Sequence, residues 1–336
     1  MKAWEVREPT GLDGLVLNDN RPQAEAGHGQ ILIRMRAASM NYRDQGVIKG
    51  AYGYTKFPVI PMCDGAGEVV AVGPGVTGFK AGDRAMSTFF QTWIGGRIPA
   101  EASKNSLGGQ LDGVLAEYVA LPQHGAIRIP DYLSFEEAAT LPCAALTAWN
   151  ALVETGRIRA GETVAILGTG GVACFAVMVA KMHGAHVLLT SSSDEKLARG
   201  KALGADETIN YKSTPDWDKE VLKRTGGAGV DHVIEVGGAN TLEKSMSAAR
   251  TGGSIYIIGS VAGQGSINPR IINRKELHLH GVHVGSLEMF AAMNRAFALK
   301  QVRPPVDKVF AFADARQAYA YQAASGHFGK IVIRVD

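Results

Sequence analysis

The chain has 336 residues, 46% of them apolar and 20% charged, with a formal net charge of +3. These values are those of a globular protein of about two domains, with enough apolar material for a core of normal size. The small, scattered positive charge argues against a dedicated nucleic-acid or membrane surface, and no apolar run is long enough to span a bilayer. The first residues, Met1-Lys2-Ala3-Trp4-Glu5-Val6, read as a strand and not as a signal peptide, so a cytoplasmic location is expected. The three cysteines, Cys63, Cys143 and Cys174, are far apart and odd in number. They make neither a disulfide framework nor a Cys-x-x-Cys metal knuckle.

Residues 1 to about 125 read as β-rich. Ile31-Leu32-Ile33-Arg34-Met35 and Gly67-Glu68-Val69-Val70-Ala71-Val72 are short β-branched runs. Gly73-Pro74-Gly75 and Lys80-Ala81-Gly82-Asp83-Arg84 punctuate the second. Residues 114–121 are another strand candidate, and 91–110, polar and glycine-rich, are expected to form a loop or lid. Many short strands with turns between them predict a barrel-like or sandwich-like body. The pattern changes near Ile127. Ser134-Phe135-Glu136-Glu137 has the form of an N-cap followed by acidic residues in a first helical turn. Strands at 164–167, 187–190, 207–209, 231–236 and 254–258 then alternate with helices at 172–183, 195–203, 219–224 and 242–249. Such alternation predicts a doubly wound parallel sheet with right-handed crossovers, an α/β fold. Residues 276–284 add an edge strand. The tail holds helices near 289–299 and 314–324 and a final strand at 330–335.

The most informative stretch is Val164-Ala165-Ile166-Leu167-Gly168-Thr169-Gly170-Gly171-Val172-Ala173. Strand, tight turn and helix are the context that gives a Gly-x-Gly-x-x-Gly/Ala match its meaning. Gly168 permits the turn, Gly170 lets the backbone approach a pyrophosphate, and Ala173 lets helix pack on strand. The free N–H groups where the helix starts, around Thr169, Gly171 and Val172, offer partial positive charge to phosphates. The alternative is a glycine-rich loop of some other α/β protein. About 20 residues past the first glycine, NAD-selective domains carry an acid for the ribose 2′-hydroxyl. Here that place reads Leu189-Thr190-Ser191-Ser192-Ser193. Hydroxyls at Ser191 and Ser192, with Lys196 and Arg199 nearby, suit a 2′-phosphate, so NADP(H) is the expected cofactor. Against this, Ser191 to Ser193 can be a plain turn with an N-cap, Lys196 a solvated helix residue, and Asp194 a displaced acid for NAD.

Further landmarks are Asn41-Tyr42-Arg43-Asp44, Pro61-Met62-Cys63-Asp64-Gly65-Ala66-Gly67-Glu68-Val69, Ala139-Thr140-Leu141-Pro142-Cys143, Leu203-Gly204-Ala205-Asp206, Gly229-Val230-Asp231 and Gly329-Lys330-Ile331-Val332-Ile333. With these in order from end to end, the chain resembles the medium-chain dehydrogenase/reductase superfamily, in its zinc-free quinone oxidoreductase-like and alcohol dehydrogenase-like branch. The resemblance implies a GroES-like β-barrel domain over 1–126 and 290–336 and a Rossmann domain over 127–289. It also implies a substrate cleft between them and a homodimer formed through the last Rossmann strand, around 278–284. Tyr211-Lys212 resembles a pair that packs at the adenine ribose in NADPH-using relatives, and Thr147 a position that helps seat the nicotinamide. Thr147 can equally be a helix residue bonding its own backbone. Gly237, Gly238, Gly259 and Ser260 would close the carboxyl ends of the sheet, where a cofactor lies, and Val284-Gly285-Ser286 would flank the nicotinamide. Ordinary turn chemistry is the competing account of these glycines.

In zinc-dependent relatives the metal ligands are Cys, His and Cys. By motif these positions fall on Asn41, Cys63 and Cys143. Asn is a poor zinc ligand. Two thiolates with Asp64 make a conceivable site, and two small apolar cysteines are the simpler account. Residues 91–112 lack the four cysteines of a structural zinc loop. His278 and His280 would share one strand face and His283 the other, which favours a solvated edge strand. No metal is therefore expected. Charge developing on a substrate oxygen must then be met by hydrogen bonds, which favours quinones and enones, whose charge is delocalised. The candidate donors are Asn41, Tyr42, Tyr52 and Tyr54. Asn41 would donate its amide or cap a turn that Asp44 holds. Tyr52 would donate or merely form a wall. The leading reading is a zinc-independent oxidoreductase passing hydride from NADPH to a quinone or α,β-unsaturated carbonyl. The alternatives are a zinc-independent NADP-dependent alcohol or aldehyde dehydrogenase and a non-catalytic NADPH-binding protein. The expected partners are a small carbonyl or quinone substrate and a second copy of the chain, with no nucleic acid and no membrane.

Overall fold

Val164, Ala165 and Ile166 are fully buried in sequence succession, as a strand covered on both faces requires. In the computed structural model, which describes residues 1–53, 55–259 and 265–335, this run is the centre of one of two compact units. The first unit comprises Met1–Leu146 and Val284–Asp336, the second Thr147–His283.

In chain order the first unit carries β1 (Ala3–Val6), β2 (Leu15–Asn18), β3 (Gln30–Ser39), α1 (Tyr42–Ile48), β4 (Asp64–Val72), β5 (Arg84–Ser87), β6 (Tyr118–Pro122), β7 (Ala126–Arg128) and α2 (Phe135–Ala138). α3 (Leu146–Trp149) lies at the division. The second unit carries β8 (Thr163–Leu167), α4 (Gly171–Met182), β9 (His186–Ser191), α5 (Asp194–Ala202), β10 (Glu207–Asn210), α6 (Trp217–Arg224), β11 (Val230–Glu235), α7 (Ala239–Ala248), β12 (Ala249–Ile257), α8 (Arg270–Arg274) and β13 (His278–Gly281). The chain then returns to the first unit with α9 (Leu287–Lys300), β14 (Val306–Ala311), α10 (Ala315–Ala323) and β15 (Lys330–Arg334).

The second unit is a six-stranded parallel sheet in the order β10-β9-β8-β11-β12-β13. The strand order reverses beside β8, and ligands of such sheets bind outside the carboxyl ends at that point. Its core gathers Leu167, Leu188, Ile209, Trp217, Val233 and Met246. α4 follows β8 after a three-residue gap, residues 168–170. It stops where Gly184 takes φ +76°, a left-handed conformation that suits glycine. There Gly184 N donates to Lys181 O and Ala185 N to Ala180 O, which satisfies two end carbonyls.

The first unit is a seven-stranded sheet, β14-β15-β3-β4-β5-β7 with β6 also on β3, plus a β1–β2 hairpin. β3 is its spine. A Cβ on Gly67 would lie 2.1 Å from Arg34 O, so only glycine lets β4 approach β3 this closely. β15 pairs antiparallel with β3, Val332 opposite Ser39, and this carries Lys330 to the residues that follow β3.

Several elements depart from the sequence expectation. Residues 114–117 are not strand: Val114 N donates to Met62 O and Leu115 N to Pro61 O, so they pair with a loop. α1 occupies a stretch read as a turn. The second domain was expected from 127, but β7 pairs with β5 and α2 packs on β3 and β4, so residues 127–146 stay with the first unit. Residues 284–289 join it too, because Leu287 N donates to Trp93 O and Glu288 N to Ile94 O. Among the described residues no helix is long and apolar enough to cross a membrane.

Candidate coenzyme pocket and polar centre

The turn after β8 is built as its glycines require. Gly168 has φ +79°, and its N–H donates to Thr190 O at 2.9 Å, tying the end of β8 to β9. Gly170 is the N-cap of α4 in extended conformation, and a Cβ added there would meet nothing within 4 Å. The helix start therefore faces open space, as a pyrophosphate cradle needs. Beside it, within the second unit, lies a cavity of about 420 Å³ lined by Gly168, Thr190, Tyr211, Trp217, Gly237 and Asn240, among others. Its size and mixed lining are those of a small-ligand site. The residues fit a dinucleotide.

Of the coenzyme residues read from sequence, Gly168, Tyr211 and Gly237 line this cavity. Ser191 ends β9, is buried, and its carbonyl accepts from Tyr211 N at 3.0 Å. Ser192 is half-buried. Ser193 Oγ caps α5 by accepting from Lys196 N at 3.3 Å, which places Lys196 in the first helical turn. Asp194, the displaced-acid candidate, accepts from Asn210 Nδ2 at 2.8 Å. Thr169 is buried, and Gly171 and Val172 open α4. Thr147 is buried in α3. A Cβ on Gly259 would meet Val236 O at 2.6 Å, so glycine is required there by close packing. Val284, at φ +52°, and Gly285, packed on Leu146, belong to the first unit and do not line the cavity. Ser260 and Tyr54 lie outside the described residues.

Sequence reasoning missed Glu235, which is fully buried at the end of β11. Its Oε1 accepts from Gly237 N at 2.6 Å, Gly238 N at 3.0 Å and Thr241 Oγ1 at 2.7 Å; its Oε2 accepts from Ser245 Oγ. One carboxylate thus sets the Gly237–Gly238 loop and the start of α7, which form one wall of the cavity. The readable signal was an acid at a strand end before paired glycines and a helix.

The first unit holds a second polar cluster. Asn41 N donates to Asp44 Oδ2 at 2.7 Å, so Asp44 holds the turn into α1. Asn41 was expected to offer its amide to a substrate. Instead the amide is engaged at both ends: Oδ1 accepts from Lys330 Nζ at 2.7 Å, and Nδ2 points to Cys63 Sγ at 3.6 Å. Cys63 Sγ donates to Asp64 Oδ1 at 3.0 Å, and Asp64 Oδ2 accepts from Cys143 N at 3.2 Å. Lys330 Nζ also donates to Met40 O and stands 3.8 Å from Asp64 Oδ2. Lys330 falls in the landmark at 329–333, but nothing in its local sequence ties it to Asn41 and Asp64; strand pairing alone delivers it there.

Burial governs this cluster. It pushes the Asp64 carboxyl up, against the pull of Lys330 and hydrogen bonds from Asn41, Cys63 and Cys143 N. It pushes the Cys63 thiol well up, and it raises Asp44 to about 6 despite Arg43 and the Asn41 amide. Asp44 Oδ1 and the Tyr319 hydroxyl are buried without a hydrogen-bond partner among the described residues. Tyr52 lays its ring on Gly46 of α1, where an added Cβ would come within 2.6 Å of it. Tyr42 is exposed.

At the three positions where zinc relatives bind metal stand an amide latched to an ammonium group, a thiol bonded to a carboxylate, and Cys143. With the Lys330 cation already neutralising Asp64, this donor set does not fit a zinc ion. Among the described residues no group of three or more His, Cys, Asp or Glu is arranged to hold a metal. His278 and His280 lie on edge strand β13 with ring centroids 6.2 Å apart, and the His280 ring stacks on Tyr256.

Comparison with known proteins covers both units. The zinc-binding dehydrogenase family matches residues 171–298, and the alcohol dehydrogenase GroES-like domain family matches residues 27–131. A zinc-type alcohol dehydrogenase-like protein of Schizosaccharomyces pombe is 43% identical over 98% of this chain and 97% of its own length. The quinone oxidoreductase of Rattus norvegicus is 30% identical over 99% of this chain and 97% of its own. A crystal structure of an NAD-dependent alcohol dehydrogenase superposes with a TM-score of 0.91 at 33% identity, each chain covered in full.

Proposed function

Because the chain belongs to the medium-chain dehydrogenase/reductase superfamily and is an oxidoreductase, we propose that it is a zinc-independent, NADPH-dependent reductase of quinones or α,β-unsaturated carbonyls. The observation that carries this reading is the Lys330–Asn41 hydrogen bond of 2.7 Å. It locks an ammonium cation into the position where a metal ligand would need to be free.

A bound reduced nicotinamide coenzyme supplies the hydride. The chain's own residues do the rest. Main-chain N–H groups of Gly170, Gly171 and Val172 bind the pyrophosphate at the start of α4. Ser191, Ser192 and Lys196 receive the 2′-phosphate, and Tyr211 packs at the adenine ribose. The Ser191 position, where an acid would repel a phosphate, supports NADP(H) over NAD(H). Thr147, Gly259, Ser260, Val284 and Gly285 are assigned to the nicotinamide end. In the first unit, Lys330, Asn41 and Asp64 hold fixed dipoles and charge that water would otherwise screen. Acceptors whose developing charge is delocalised need no stronger polarising group, which favours quinones and enones. A homodimer through β13 belongs to the same reading.

The S. pombe relative and the NAD-dependent structure favour a second reading, alcohol or aldehyde oxidation. Steady-state turnover with 1,4-naphthoquinone, 2-cyclohexenone and benzyl alcohol, each with both coenzymes, separates them. Reduction of the first two with NADPH is the expected result. Alcohol oxidation alone establishes the second reading, equal efficiency with NADH removes the coenzyme assignment, and tight NADPH binding without turnover makes this a non-catalytic NADPH-binding protein. Metal analysis of the purified protein is expected to find no stoichiometric zinc.

A further inference from the structure

Cys63 and Cys143 are 80 residues apart in the chain, yet their side chains are hydrogen-bond neighbours. The same carboxylate touches both residues: Asp64 Oδ1 accepts from Cys63 Sγ at 3.0 Å, and Asp64 Oδ2 accepts from Cys143 N at 3.2 Å. Their surroundings differ. Cys63 is fully buried, whereas Cys143 is partly exposed, in the irregular helical turn Leu141–Ala145. The coenzyme pocket does not use either, and the donor set does not suit a metal.

We propose that these two thiols form an oxidisable pair, which a peroxide converts to an intramolecular disulfide. The exposed sulfur reacts first. Cys143 Sγ attacks one peroxide oxygen, the O–O bond breaks, and sulfenic acid and water (or an alcohol, from an alkyl peroxide) are formed. Cys63 then attacks the Cys143 sulfur. The S–S bond forms as the S–O bond breaks, Asp64 takes the Cys63 proton, and that proton leaves with the departing hydroxide as water. The two thiols lose two electrons and the peroxide gains them. A buried thiol is a poor first target for oxidant, so the order is set by exposure. The disulfide removes the sulfhydryl that Asp64 and Asn41 now engage, and a thiol reductant restores it.

The test uses the full chain, hydrogen peroxide as oxidant, and peptide mass mapping without reduction, and so does not depend on the reductase reading. The expected product is a Cys63–Cys143 disulfide within one chain, reversed by dithiothreitol. Cys174, buried in the other unit with its sulfur on Thr169 O at 3.5 Å, stays reduced as the internal control. Cys143→Ser is expected to leave Cys63 reduced under the same exposure. Cys63→Ser is expected to drive Cys143 onward to sulfinic acid, since no resolving thiol remains. The proposal is overturned if the wild-type chain accumulates Cys143 sulfinic acid with Cys63 reduced, if Cys63 oxidises equally in Cys143→Ser, or if the only disulfides join separate chains.

Discussion

Lys330 Nζ lies 2.7 Å from Asn41 Oδ1 although 289 residues separate them. The contact exists because β15 pairs antiparallel with β3, so the start of one strand meets the residues following the other. Both Lys330 and Asp64, 3.8 Å away, have side chains almost wholly out of water. Removing one partner of such a pair leaves the other charge buried and unmatched. Lys330→Met should therefore lower stability by about 3–5 kcal/mol, and Lys330→Arg should recover part of it. Urea unfolding reads this as a fall in midpoint at unchanged slope. A midpoint within error of wild type would show that water reaches Asp64.

Asp44 gives a pH dependence of unusual sign. Burial raises its carboxyl to about 6 in the folded protein, above the 3.8 of a free side chain. The native state thus keeps a proton that the unfolded chain has released. Stability linked to this group is fully present below the unfolded value and declines as pH rises through about 6. The two-unit difference corresponds to about 3 kcal/mol. Asp44→Asn retains an acceptor for Asn41 N and titrates no proton. Unfolding measured at pH 4 and pH 7 should show the variant gaining on wild type across that interval, and a constant difference would count against it.

Under the proposed function, Glu235 positions the loop that lines the coenzyme pocket. Glu235→Gln exchanges one accepting oxygen for an amide group that faces donors at Gly237, Gly238, Thr241 or Ser245. The lost bonds and unmatched donors should cost about 2–3 kcal/mol. Because those donors shape the pocket wall, the coenzyme Kd should rise about tenfold or more while kcat at saturation changes little. Fluorescence titration and saturation kinetics give the two numbers, and a fall in kcat alone would reject this role.

Ser191 ends β9, and the proposed function has it select between the two coenzymes. Ser191→Asp puts a negative charge against a 2′-phosphate. The ratio of kcat/KM for NADPH over NADH should fall more than tenfold, equivalent to at least about 1.4 kcal/mol. Buried as it is, Ser191 also bonds Tyr211 N through its carbonyl, which the substitution leaves intact. An unchanged ratio would shift the assignment to Ser192 or Lys196.

The second unit was legible in the sequence because its signals are local. β8, Gly168 and α4 fall in one continuous stretch, and β8, β9 and β11 carry short apolar runs ended by turn residues. The first unit was harder. β5 and β7 are short, β14 is weakly patterned, and α1 contains Gly46, Val47 and Ile48, which do not advertise a helix. The polar cluster was half visible: Asn41, Asp44, Cys63, Asp64 and Cys143 could be read from motifs. What they do to one another could not, because it depends on Lys330, placed by a long-range strand pairing. Glu235 escaped for another reason. Its role shows only when its oxygens are seen filled by the N–H and hydroxyl groups of its own loop.

The pairing of β15 with β3 also bears on how the molecule is made. Asn41 and Asp64 leave the ribosome early, but the ammonium group that answers them is encoded 289 positions after the first. Until translation passes residue 330, a compact first unit would have to shelter a carboxylate with no countercharge. The nascent chain is therefore expected to keep this region open, and a message truncated before that lysine to yield a product that chaperones retain.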